Sequence, residues 1–179
     1  WAGNLQNQYF LDEMTLCRTA YCSYHGKRSP TISLTLRVGT MHEHNLIETL
    51  NEALGWELRA ANMYAHYAAN IRGIHRLQLS PMFTTEATES TMHADIVRKA
   101  IVKLGGIPVT ERNTHPIIHT TLFDEMLVHS LETETKAAAV YAAIMIEIDS
   151  IGDQEMYDAI EQIYLAELRS LEELRLLME

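Results

Sequence analysis

Apolar residues recur at spacings of three and four positions through most of the chain, which is the pattern of amphipathic helices. The first such stretch runs from His42 to about Ile71. The second is expected to begin at Ser80-Pro81, because serine can cap a helix and proline suits its first turn. It ends before the glycine pair at positions 105 and 106. These two stretches predict a pair of long helices joined by a short connection.

The second half of the chain repeats this arrangement. A third helical stretch runs from about Thr121 to Ser150, and a fourth follows the capping residue Asp153 to the C-terminus. Residues 105–120 contain Pro108 and Pro116 and no helical pattern, so they form a long connection between the two halves. Short loops make antiparallel neighbours, and a long one carries the chain back along the bundle. The prediction is an all-α, up-down-down-up four-helix bundle over residues 42–179.

Residues 1–41 differ from the bundle in composition. No acidic residue occurs from Met14 to Met41, whereas serine, threonine and arginine are frequent. This composition resembles that of an organellar transit peptide. We interpret the segment as an N-terminal extension that is ordered by a partner surface, with a locally packed extension as the alternative.

Length and charge narrow the class of protein. The 179 residues suit one domain, and 47% hydrophobic with 21% charged residues is ordinary for a globular protein. The formal net charge of −10 argues against a nucleic-acid surface, which needs a basic stripe. No apolar run of about 18 residues occurs, so no transmembrane helix is expected.

The two predicted hairpins are related by an internal repeat. Glu57 and Tyr64 of the first helix recur as Glu134 and Tyr141 of the third, at a constant offset of 77 residues. Glu57, Glu134 and, in the fourth helix, Glu167 each lie on the same face of their helix as its apolar residues. His93 of the second helix does the same.

All four polar side chains are therefore predicted to point into the core. An isolated buried carboxylate costs several kcal/mol unless it is paired, protonated or bound to metal. Carboxylates and imidazole suit iron, manganese and zinc. The repeated pattern thus indicates either a metal site or a buried hydrogen-bonded network in which Arg59, Arg98 and the tyrosines 64, 141 and 164 take part.

Residues 43–176 resemble the bacterioferritin branch of the ferritin-like superfamily. The resemblance rests on the phrase from Leu50 to Tyr64, LNEALGWELRAANMY, on MHAD at 92–95 and on LGGIP at 104–108. It implies that Glu57, His93, Glu134 and Glu167 correspond to di-iron ligands.

The same resemblance implies that two ligands are missing. The family's second-helix glutamate falls on Ser90 and its fourth-helix histidine on Ser170. The haem-ligating methionine falls on Thr91, so no haem is expected. Glu86 and Glu89 are near enough in sequence to compensate in part. The expected cofactor is either none or a single Fe, Mn or Zn ion held by Glu57, His93 and Glu167, and a di-iron centre is less favoured.

Three functional hypotheses follow. The incomplete site and the N-terminal extension favour an accessory subunit of a larger protein assembly, with a mitochondrial location ahead of a cytoplasmic one. The second hypothesis is an iron-binding protein or a metal-dependent, ferroxidase-like oxidase. The third is a homo-oligomeric subunit of a ferritin-type storage cage.

Four further histidines lie in or near the irregular segments and could line an iron access route, although ordinary polar roles are favoured for them: His75, His115, His119 and His129.

Overall fold

Four long helices build the part of the chain that can be described. The computed structural model describes the backbone of residues 35–179, and side chains from residue 45 onward. The predicted N-terminal extension falls largely outside this part. The helices are α1 (Thr35–Asn70), α2 (Arg76–Lys103), α3 (Phe123–Asp149) and α4 (Gln154–Leu177). Helix α1 therefore begins seven residues before the expected start at His42.

The helices form two antiparallel hairpins that pack side by side. Helix α1 packs against α2 and α3, and α4 packs against α3 and α2. The predicted all-α, up-down-down-up bundle is confirmed. The fourth helix begins as expected, since the Asp153 carboxylate accepts a hydrogen bond from the Met156 backbone N–H at 3.1 Å. Gly152, which precedes this cap, has φ +76°, a conformation that favours glycine.

The start of α2 differs from the expectation at Ser80-Pro81. The helix begins at Arg76, so Pro81 lies inside it. Ser80 does not cap α2; its hydroxyl donates to the Ala68 carbonyl of α1 at 2.9 Å. Arg76 donates to the Ile71 carbonyl at 3.1 Å. Both residues therefore satisfy carbonyl groups at the C-terminal end of α1, which otherwise lack partners.

The connection between α2 and α3 runs along α1 in the same direction as the helix. Asn51 binds both the Ile107 carbonyl, at 3.1 Å, and the Val109 N–H, at 2.8 Å. One turn later the Asn113 N–H donates to the Gly55 carbonyl at 2.8 Å. A Cβ at position 55 would lie 3.4 Å from that nitrogen, so glycine permits the close approach.

Arg59 continues this attachment. Its guanidinium donates to the His115 and Pro116 carbonyls at 3.1 and 2.9 Å, and to the Thr133 hydroxyl of α3 at 2.6 Å. The side chain is 3% exposed. One buried cation thereby joins α1, α3 and the connection between α2 and α3, residues 104–122, which we call the crossover segment.

The apolar core has two parts, one toward each end of the bundle. The first contains Leu50, Val97 and Ile144 among its members, and the second contains Tyr67, Phe83 and Met126. Along every helix a buried or half-buried polar position separates the two parts. A polar layer therefore crosses the bundle where the sequence places the candidate ligands.

We expect Arg59→Met to lower the free energy of unfolding by about 2–3 kcal/mol, because three acceptors lose a charged donor. Urea denaturation followed by circular dichroism measures the change. Arg98→Met is the matched control, since among the described residues Arg98 pairs only with Asp95, on the surface at 2.6 Å, and its loss should cost less than about 0.5 kcal/mol. Equal effects of the two substitutions would contradict the role assigned to Arg59.

Candidate metal centre

Three candidate ligands from three helices meet in the polar layer. His93 Nδ1 of α2 lies 3.1 Å from Glu167 Oε1 of α4 and 3.5 Å from Glu57 Oε1 of α1. One ligand atom from each residue lies within 4.8 Å of the other two. Both carboxylates are buried, at 2% exposure for Glu57 and 4% for Glu167. These are the three residues that the family resemblance implies for a single ion.

Two buried tyrosines hold carboxylates of this layer from the opposite hairpin. The Tyr141 hydroxyl of α3 donates to Glu57 Oε1 at 2.6 Å, and the Tyr64 hydroxyl of α1 donates to Glu134 Oε1 at 2.5 Å. The two bonds are equivalent under the 77-residue repeat and cross between α1 and α3. Each carboxylate thus has one oxygen oriented by a neutral donor.

The electrostatics of the layer favour a cation. Burial raises the pKa of Glu57, and burial with the negative charge of Glu167 raises that of Glu134 well above its usual range. Burial alone would lower the pKa of His93, but the carboxylates of Glu167 and Glu57 outweigh it and raise the pKa to about 10. The carboxylates of Glu57 and Glu167 therefore favour positive charge between them.

The positions of the two missing ligands are occupied by hydroxyls that are already engaged. Ser90 Oγ donates to the Glu86 backbone carbonyl of its own helix at 2.9 Å. Ser170 Oγ donates to the Glu86 carboxylate at 3.3 Å. Of the two acidic residues proposed to compensate, Glu86 is half-buried and faces this region, whereas Glu89 is exposed. Burial, together with the charges of Glu134 and Glu89, raises the pKa of Glu86 to about 7.

The residues present therefore fit one metal ion better than two. His93 Nδ1 is buried and faces two carboxylate oxygens, yet neither contact has hydrogen-bond geometry. Carboxylate and imidazole groups that converge without hydrogen-bonding to one another are suited to bind a metal ion. The Glu134 carboxylate lies beside these three residues. Serines, Ser90 and Ser170, occupy the positions of the family's second-helix glutamate and fourth-helix histidine.

Some expected participants lie elsewhere. Arg59 and Arg98 are bound to the crossover segment and to Asp95, respectively, and Tyr164 is only half-buried beside the core. The hydrogen bonds of Tyr64 and Tyr141, which cross between α1 and α3, were not predicted from the sequence. The repeat was the signal for them, because equivalent residues of paired hairpins face each other.

None of the helices in residues 35–179 combines the length and the hydropathy that a membrane span requires.

A four-helix bundle with a buried carboxylate–histidine centre defines the ferritin-like class of proteins. The sequence model of the ferritin-like domain matches residues 47–179, so this chain belongs to the ferritin-like family. No curated protein matches the chain.

Two solved structures show the likeness. A ferritin-like diiron-carboxylate protein from Bacillus anthracis strain Ames is 30% identical, with a TM-score of 0.73, over 77% of this chain and 98% of its own. A dodecameric thioferritin, the bacterioferritin-related protein from Bacteroides fragilis, is 23% identical, with a TM-score of 0.68. That alignment covers 74% of this chain and 83% of the thioferritin, and it supports the fold alone.

We expect Tyr64→Phe and Tyr141→Phe each to lower the free energy of unfolding of the metal-free protein by about 1–3 kcal/mol, because each leaves a buried carboxylate oxygen without its donor. Urea denaturation in the presence of a chelator measures this. Tyr164→Phe is the control and should change stability little. If all three variants behave alike, the crossed bonds do not stabilise the bundle.

Proposed function

We propose that this protein binds one divalent transition-metal ion, with iron(II) as the favoured occupant, through Glu57, His93 and Glu167. The observation that carries the proposal is the convergence of a buried imidazole nitrogen and two buried carboxylate oxygens without hydrogen-bond geometry between them. The 30% identical relative is described as a diiron-carboxylate protein, which supports iron over manganese and zinc.

Each residue has a distinct part in this proposal. Glu57 and Glu167 supply negative charge, and His93 must present its Nδ1 lone pair, so its proton leaves when an ion binds. Tyr141 orients Glu57 by donating to one of its oxygens. A bound ion would supply Lewis-acid or redox chemistry.

Metal binding is favoured over ferroxidase-like catalysis because Ser90 and Ser170 replace two of the family's ligands. Oxidation of iron(II) at a two-ion centre is the alternative, and it requires Glu86 and Glu134 to hold the second ion. The orientation of Glu86 toward Ser170 is the observation that keeps this alternative open.

Elemental analysis after anaerobic loading with iron(II) and desalting should find about one ion per chain. Glu57→Gln and His93→Ala should lower the affinity about tenfold or more, because each removes a ligand. Glu89→Gln is the matched control, since Glu89 is an exposed carboxylate on the same helix as His93.

Three results separate the alternatives. Wild-type protein that retains no iron, manganese or zinc would overturn the proposal in favour of a metal-free buried network. Two ions per chain, reduced to one by Glu86→Gln, would establish the two-ion alternative. If the wild type holds one ion, the double substitution Ser90→Glu with Ser170→His should raise the count to two, because it restores the family's ligand types.

Assembly with further copies of the chain is a second candidate property. Large apolar side chains are exposed on the helices, including Leu77 at 75% and Ile146 at 79%. The Bacteroides fragilis relative is described as dodecameric. The exposed apolar side chains support association of further copies, and so a cage subunit ahead of an accessory subunit. The hypotheses of an accessory role and a mitochondrial location depend on the N-terminal extension and stay predictions.

Light scattering of the purified full chain should give the mass of a multi-copy assembly, and deletion of residues 1–34 should leave the number of copies unchanged, because the four helices lie outside the deletion. A monomeric full chain would contradict the cage. An accessory subunit would instead lose its heterologous partners, identified by mass spectrometry after native purification, on the same deletion.

A further inference from the structure

Two histidines form a pair on the surface, apart from the ligand set of the candidate metal centre. His66 lies in the last two turns of α1, and His119 lies near the end of the crossover segment. His66 Nε2 is 3.0 Å from His119 Nδ1, and the two rings stand at 73° with their centroids 5.2 Å apart. We infer that this pair is a chelating site for a borderline transition-metal ion of the Zn²⁺ class.

The separation of the two nitrogens suits chelation. A zinc ion binds imidazole nitrogen at about 2.0–2.1 Å, so two such ligands at a tetrahedral or right-angled geometry stand about 2.9–3.4 Å apart. The observed 3.0 Å falls inside this interval. An ion bound to both nitrogens would lie beside the line that joins them, so each ring turns its nitrogen lone pair toward the ion while the distance between the nitrogens stays nearly the same.

The backbone on both sides of the pair is already held. Tyr67, the neighbour of His66, is fully buried, and its hydroxyl donates to the Ile118 carbonyl at 3.1 Å. That bond joins the residue after His66 to the residue before His119. A site whose ligands are positioned in advance loses less conformational entropy when the ion binds.

The chemistry of the pair also selects the ion. Two imidazoles suit Zn²⁺, Cu²⁺ and Ni²⁺, whereas Mg²⁺ and Ca²⁺ prefer oxygen ligands. The proposed iron site differs, since it offers one imidazole and two carboxylates. His119 is exposed and His66 half-buried, so water can complete the coordination of the ion.

Binding at this pair would fasten the crossover segment to α1. An ion that binds the folded chain and finds no preformed pair in the unfolded chain stabilises the native state. Zn²⁺ should therefore raise the thermal midpoint of the full chain.

Calorimetric titration of the full chain with Zn²⁺ tests the inference. His66→Ala and His119→Ala should each remove one binding event, or weaken it about tenfold or more, relative to the wild type. His129→Ala is the matched control, because His129 is a half-buried histidine on α3. It should keep the wild-type isotherm. Comparison between variants cancels zinc bound by the candidate iron site or by Cys17 and Cys22.

A second measurement makes the result independent of folding defects. Long-range ¹H–¹⁵N spectra should show His66 Nε2 and His119 Nδ1 moving to metal-bound shifts when Zn²⁺ is added to the wild type. His119→Gln, which keeps a polar side chain of similar reach, should show a smaller zinc-dependent rise in thermal midpoint than the wild type. Identical isotherms for all variants, or ligation by only one of the two rings, would overturn the chelate.

The inference stands apart from the proposed iron site. Loss of iron binding in Glu57→Gln with zinc chelation intact would separate the two. Retained iron binding in His119→Ala with zinc chelation lost would separate them in the opposite sense.

Discussion

Burial of three glutamates in the middle of a four-helix bundle is the constraint that orders the rest of this molecule. Each buried carboxylate would cost several kcal/mol without a partner. Tyr141 and Tyr64 reach across from the opposite hairpin to Glu57 and Glu134, and His93 faces Glu57 and Glu167. These contacts fix the axial register of α1 against α3, because a shift of one helix by one turn would separate both tyrosines from their acceptors.

The crossover segment is held by the same helix that supplies the first glutamate. It is bound along one side of α1 by four residues, Asn51, Gly55, Arg59 and Tyr67. Because Arg59 also reaches Thr133 of α3, this attachment supports the alignment that the tyrosine bonds need. The candidate metal centre and the surface histidine pair are therefore positioned by opposite sides of a single helix.

Replacement of two ligands by serine leaves the centre asymmetric. On one side, imidazole and carboxylates converge and lack hydrogen bonds with each other. On the other side, the Ser90 hydroxyl is turned to its own helix, and Ser170 binds Glu86 one turn away from the family's glutamate position. The internal repeat thus preserves the two tyrosine–glutamate bonds while the metal ligands differ between the halves. This asymmetry is the basis of the proposal that one ion binds.

The sequence by itself determined the four helices, their topology and the inward direction of Glu57, His93, Glu134 and Glu167, because helical spacing and a 77-residue repeat are local, countable features. It placed the start of α2 wrongly at Ser80-Pro81, because the competing acceptor for Ser80, the Ala68 carbonyl, belongs to another helix. Only the tertiary structure showed that Glu86, and not Glu89, faces the candidate metal centre. It also showed that Arg59 binds the crossover segment and that His66 contacts His119. Each of these depends on side chains from segments far apart in sequence, whose distances no periodicity records.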